Sequence, residues 1–216
     1  MNQTTPMSPI HAQQSQDRHL DLGCGAVPRN PYGRPALFGV DLRPQPSTAS
    51  CEFAAANLAF DPIPFPAHHF ASVSAFDFIE HMPRVLNGPE PGTTIFPFVR
   101  LMDEVWRVLM PGGKFYALTP CYPGRPAFSD PTHVNVITDQ THTYFCGDAP
   151  LGRMYGFNGR FAVRRAQWVI PEYSQTPAKL TRKQSWDRWR RERSGKLVYF
   201  LWELEAVKPL PPGMPP

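Results

Sequence analysis

Three short stretches concentrate side chains that can do chemistry. Asp77, Glu80 and His81 stand at i, i+3 and i+4, so a helical turn there would place all three on one face. Ser129-Asp130-Pro131-Thr132-His133 carries a second carboxylate and imidazole. Glu80, His81 and His133 are the candidates for general acid or base work. The oxygen and imidazole donors of Asp77, Glu80 and His81, with His133 as a fourth, also suit a divalent ion. Read as local packing and capping groups they need no ligand, and the sequence favours that reading over a metal. The third stretch is Gly23-Cys24-Gly25, followed by Asp41. Glycines admit close backbone approach, and a strand-end carboxylate can accept from two neighbouring hydroxyls.

These groups need a sheet to position them. His19-Leu-Asp-Leu22 runs into the Gly-x-Gly turn, as the first strand of a doubly wound sheet does. Ala36 to Leu42 reads as a second strand ending in Asp41, Phe53 to Leu58 as a third, and Phe70 to Phe76 as a fourth. Between the first two lie Pro28, Pro31 and Pro35, which leave scarcely any room for a crossover helix. Ile95, Phe98, Leu101, Met102, Val105 and Val108 have helical spacing and predict a helix over 95–109, with Thr94 as its N-cap and Pro97 in its first turn. Lys114 to Leu118 reads as a fifth strand, and Phe161–Val169 with Leu197–Val207 as a closing antiparallel pair. Residues 119–159 are too long for a mere connector. Phe128, Tyr144, Phe145, Met154, Tyr155 and Phe157 are expected to pack that loop over the ligand pocket on the acceptor side.

His19-Leu-Asp-Leu-Gly-Cys-Gly25, Phe38-Gly-Val-Asp41, Phe60-Asp-Pro-Ile-Pro-Phe-Pro66 with Phe70–Phe76 and Glu80-His81, and Leu109-Met-Pro-Gly-Gly-Lys114 occur in this order. Together they resemble the class I S-adenosylmethionine-dependent methyltransferases over about residues 18–120, in particular bacterial methyltransferases of the type 11 kind. The Ser129–His133 segment is similar to a loop of bacterial methyltransferases near envelope-sugar pathways. The resemblance implies a Rossmann-like α/β sheet, with strands one to five parallel, a terminal antiparallel pair and a reduced first crossover helix. It implies S-adenosylmethionine as cofactor. Asp21 would face the methionine ammonium together with the Phe76 carbonyl. Gly23, Cys24 and Gly25 would line the cofactor, and Asp41 would hold the ribose. Asn57 and Leu58 would meet adenine, and Asp77 would border the site. A dinucleotide site would want Gly where Pro28 stands, so methyl transfer is favoured over hydride transfer. Asp77-x-x-Glu80-His81 also resembles the Glu-x-x-Glu-His set of some metal-assisted methyltransferases, with a shortened first acid.

Composition narrows the remaining classes. With 216 residues and 19% charged side chains, the chain can bury a core without staples. Its 27 Pro are read as stiff loops. No C-x-x-C pair occurs among Cys24, Cys51, Cys121 and Cys146, which argues against a zinc ribbon and for reduced thiols in the cytoplasm. Cys24 reads as a small buried residue, not a nucleophile. No apolar run reaches the ~18 residues of a spanning helix, and Met1–Gln16 has no secretory h-region. The expected layout is a flexible leader over 1–17, one methyltransferase domain over 18–208 with a basic insertion at 171–196, and a Pro-rich tail over 209–216. Net charge is +4, yet residues 179–196 carry eight basic side chains against Asp187 and Glu192. Trp186 and Trp189 within them could stack on RNA bases. The favoured reading is an amphipathic helix whose tryptophans cover the domain. A small-molecule or saccharide acceptor is accordingly favoured over RNA.

Overall fold

The computed structural model describes residues 16–209. The leader expected over 1–17 and the tail over 209–216 therefore lie outside the described residues, save Gln16, Asp17 and Pro209.

Nine strands form: β1 Arg18–Leu22, β2 Ala36–Asp41, β3 Cys51–Ala55, β4 Phe70–Phe76, β5 Leu86–Asn87, β6 Thr94–Ile95, β7 Leu109–Pro120, β8 Phe161–Val169 and β9 Tyr199–Ala206. Seven make one sheet in the order β3-β2-β1-β4-β7-β9-β8. β1, β2, β3, β4 and β7 are parallel, while β9 runs antiparallel to both β7 and β8. The expected Rossmann-like sheet with a terminal antiparallel pair is present. Its order reverses between β1 and β4, and that reversal opens a crevice at the strands' C-terminal ends.

Among the described residues the α-helices of four residues or more are α1 Pro97–Val108, α2 Pro126–Ser129 and α3 Arg182–Arg193. α1 buries Phe98, Leu101, Met102, Val105 and Val108 along one stripe against the sheet. Thr94 does not cap it. Thr94 and Ile95 pair with Asn87 and Leu86 instead, and Phe96 takes the N-cap place with no side-chain bond. The third strand lies at Cys51–Ala55, ahead of the expected 53–58, because Thr48 and Cys51 close a small turn and Leu37 pairs with Cys51. No helix connects β1 to β2, β2 to β3 or β3 to β4.

The missing helices explain an unusual split between the two sheet faces. One face carries Leu20, Leu22, Val40, Val73, Phe115 and Trp202 in the main core under α1. On the other face β1 and β4 present His19, Asp21, Ser72 and Ser74, all buried. Among the described residues the 23–35 loop lies over them, with Tyr32 beside His19 and its hydroxyl donating to Glu203. A loop offers no apolar stripe to bury, so polar side chains on this face must satisfy one another.

The 119–159 loop departs from expectation. Phe145 and Phe157 enter the main core against Phe98 and Phe161, whereas Phe128, Tyr144, Met154 and Tyr155 are exposed. Its aromatic half therefore braces α1 and does not roof the crevice. Phe98 touches both Phe145 and Trp202. Phe98→Ala should cost about 3–5 kcal/mol in denaturant unfolding, and limited proteolysis should then cut first within 141–157.

Candidate functional site

The crevice holds a cleft of about 170 Å³ lined by Gly23, Asp41, Leu42, Asn57, Leu58, Phe78 and His81, among others. Its floor is the turn after β1. Gly23 and Gly25 have φ of +63° and +55°, a region that only glycine enters freely. A Cβ on Gly23 would lie 2.3 Å from the Phe78 ring, whereas one on Gly25 would meet nothing within 4 Å. Backbone conformation and Phe78, more than ligand approach, thus demand the two glycines.

Asp41 ends β2 with both oxygens oriented. Oδ2 accepts the Gly25 N–H at 2.9 Å and Oδ1 accepts the Arg43 N–H at 3.0 Å. Each oxygen keeps a lone pair for a hydroxyl in the cleft. The Asn57 amide oxygen accepts from the Ala59 N–H at 3.2 Å, and Leu58 is buried beside it. Cys24 is buried and its thiol is pushed up to about 12 by burial, then by Asp21 and Asp41, so it is no nucleophile.

Asp21 sits at the end of a buried polar chain. Ser74 Oγ donates to its Oδ1 at 2.6 Å, so Ser74 must accept from His19 Nε2–H at 2.8 Å. His19 Nδ1 then accepts from Ser72 Oγ at 2.7 Å. Burial holds His19 neutral, with its pKa lowered to about 3. Burial also pushes Asp21 up to about 6, against the Ser74 and Arg29 hydrogen bonds.

Arg29 is the residue that sequence reasoning missed. Its backbone N–H donates to Asp21 Oδ2 at 2.8 Å. Its guanidinium donates to the Phe76 carbonyl at 3.1 Å and lies 4.8 Å over the Phe76 ring. Both groups expected to face an ammonium are therefore already engaged by Arg29, though each retains a lone pair. Its place in a Pro-rich loop gives no periodic signal that could have marked it.

The residues after β4 depart from the expected helical face. Asp77 has φ +49° and its N–H donates to the Leu118 carbonyl, so it precedes the single 3-10 turn Ile79–His81. Glu80, His81 and His133 come together, with one ligand atom from each lying within 4.8 Å of the others. Asp77 is outside that group and faces Tyr199. The expected four-residue set is corrected to three on this ground. Asn135, also missed, binds the turn to the loop: its N–H donates to the Glu80 carbonyl and its side-chain amide to the Ile79 carbonyl. Glu80 is 1% exposed, and burial pushes it up to about 7 although Thr119 donates to its Oε2 at 2.9 Å.

The basic segment leaves β8 at Val169 and returns at Tyr199, which pairs with both Val169 and Pro120 at the crevice edge. The tryptophans of α3 do not cover the domain. Trp186 and Trp189 are 59% and 49% exposed, and no residue of α3 is buried. The inward face is polar instead. Asp187 accepts from Tyr173 and Arg190, and Arg188 donates to the Trp168 carbonyl.

No protein-family model matches this chain, and no curated protein sequence does. Solved structures match in fold. An S-adenosylmethionine-dependent methyltransferase from Mesorhizobium loti superposes with a TM-score of 0.54 at 16% identity, over 89% of this chain and 92% of that one. The methyltransferase-like chain of a Haloferax volcanii complex with a methyltransferase activator gives 0.53 at 16%, over 90% and 84%. The [4+2]-cyclase SpnF gives 0.50 at 13%, over 93% and 79%. The chain has the fold of the class I S-adenosylmethionine-dependent methyltransferases. Among the described residues no helix is long and apolar enough to cross a membrane.

Asp21 carries a pH prediction. Between its ordinary value near 4 and about 6, the folded chain keeps a proton that the unfolded chain has released. Stability should therefore fall as pH rises through that window, by about 3 kcal/mol from this group. Urea midpoints from pH 4 to 7 should show the decline in the natural chain and a flatter course in Asp21→Asn.

Proposed function

We propose that this protein transfers a methyl group from S-adenosylmethionine to an acceptor. The observation that carries the reading is the cleft at the β1/β4 reversal, where the Gly23 turn and the twice-anchored Asp41 carboxylate face one space. The fold alone would not suffice, since a cyclase shares it. The donor set suits this cofactor: a carboxylate for a ribose diol, an apolar wall at Leu42, Leu58 and Phe78 for adenine, and no glycine-opened helix for a pyrophosphate.

When bound, the cofactor supplies an electrophilic methyl on a sulfonium. Asp41 holds the ribose, and Asn57 and Leu58 border the adenine. Asp21, held by Ser74 and His19, draws the ammonium, while Arg29 meets the carboxylate beside Phe76. The acceptor's proton leaves toward Glu80, His81 and His133, of which His81 borders the cleft. Positioning supplies much of the acceleration.

For the acceptor we favour a small molecule or saccharide in the cytoplasm, a reading supported by four unpaired thiols and a narrow cleft. A second reading, RNA, is favoured by one observation. The Arg190 and Arg193 guanidinium groups lie 5.3 and 5.1 Å over the outward rings of Trp186 and Trp189, beside the same sheet edge. Such rings stack on bases while the arginines grip phosphates.

S-Adenosylhomocysteine should bind in calorimetry, and Asp41→Ala should weaken it by roughly 1.5–3 kcal/mol. NADH binding in its place would support hydride transfer and sink the methyltransferase reading. For the acceptor, labelled cofactor is incubated with extract fractions. Label in the small-molecule or polysaccharide fraction supports the favoured acceptor. Label in RNA that is lost in Trp186→Ala/Trp189→Ala supports the second.

A further inference from the structure

Glu80, His81 and His133 each bring one potential ligand atom to within 4.8 Å of the others, and His81 also borders the cleft. Glu80 spends Oε2 on Thr119, and its Oε1 is buried with no partner. His133 Nδ1 is likewise buried and unpaired. His81 is fixed by a relay. Thr132 Oγ1 has one hydrogen, which it donates to Asp130 Oδ1 at 2.6 Å, so at 3.0 Å it must accept from His81 Nδ1–H. His81 Nε2 is then left as a bare lone pair. A buried carboxylate oxygen without a donor is costly, and Thr119 serves only the other oxygen of Glu80.

We propose that Glu80, His81 and His133 form a binding site for one divalent first-row transition ion of the zinc class. Two imidazoles and a carboxylate with open positions are a donor set for such ions, whereas magnesium and calcium prefer oxygen alone. The Asp130–Thr132–His81 relay is the outer-shell arrangement that orients a ligating histidine. Thr119 plays the same part for Glu80. Metal–ligand distances near 2.1 Å put tetrahedral donors ~3.4 Å apart, so the 4.8 Å spread must close by about 1.4 Å. His133 stands in a loop and meets His81 edge to face at 4.7 Å between ring centres, so the adjustment falls to a residue outside the regular elements. His81 borders the cleft, and an ion held there lies beside it. On the methyltransferase reading, its open position would take an acceptor oxygen and make that oxygen easier to ionise, the proton then passing to water in place of the three ligated side chains.

The test needs neither cofactor nor acceptor. The chelator-stripped full chain is titrated with Co²⁺ alone and followed by visible absorption. One equivalent should bind with d–d bands, and Zn²⁺ should displace it. His133→Ala and Glu80→Gln should each weaken binding at least tenfold, and Thr132→Val about tenfold. His68→Gln, ahead of the N-terminal end of β4, should leave it unchanged. His133 is only half-buried in a loop, so its variant decides the matter if Glu80→Gln does not fold. Absence of a stoichiometric band, or unaltered binding in folded His133→Ala, overturns the site. S-Adenosylhomocysteine calorimetry on the same metal-free protein separates the two readings. Nucleoside binding without ion binding rejects the ion alone, and ion binding without nucleoside binding rejects the cofactor alone.

Discussion

The crevice depends on two carboxylates that hold backbone amides a helix would otherwise have satisfied. The chain leaves β1 into a Pro-rich loop with no helical ladder, so its N–H groups need partners elsewhere. Asp41 takes the Gly25 amide and Asp21 takes the Arg29 amide, which moors the loop to the ends of β2 and β1. The cleft, the polar face beneath it and the placing of Arg29 all follow. Asp41 also lines the cleft, so a group that shapes the site is also a group that could read it.

The polar face is the second consequence. Crossover helices ordinarily cover a parallel sheet with apolar stripes. Here His19, Ser72, Ser74 and Asp21 are buried under a loop and close a hydrogen-bonded chain among themselves. Removing one member would strand another, since each spends its donor on the next. The opposite face, with α1, carries the larger core, while Phe76, Tyr116, Leu118 and Leu201 make a smaller apolar cluster beside the polar chain.

Much of this was legible in the sequence where one force acted alone. β4 was readable because all seven of its residues are buried, and α1 because its stripe repeats cleanly. The Pro-bound loop after β1 announced the missing helix. The reading failed where local geometry intervened. Asp77 adopts a left-handed conformation that spacing could not foretell, which removes it from the Glu80–His81 face. Thr94 had a pairing partner in Asn87 that competed with capping. α3 inverts the usual rule: Asp187 and Arg188 face inward because Tyr173 and the Trp168 carbonyl bind them, and the tryptophans are left outside. Arg29 and Asn135 act through irregular segments, where no periodicity exists to mark them.

The hairpin-like ends of the basic segment have a further consequence. Val169 and Tyr199 are paired neighbours, and Tyr116 and Cys121 tie down Ser174, Thr176 and Val198, so the stretch 177–197 is closed at its base by the sheet. Closing a longer or shorter loop there changes the entropy only slowly with length. The segment can therefore be exchanged, lengthened or rewritten in charge while the strand order and the Gly23 turn stay as they are. In this chain, what is recognised and what holds the fold can diverge at different rates.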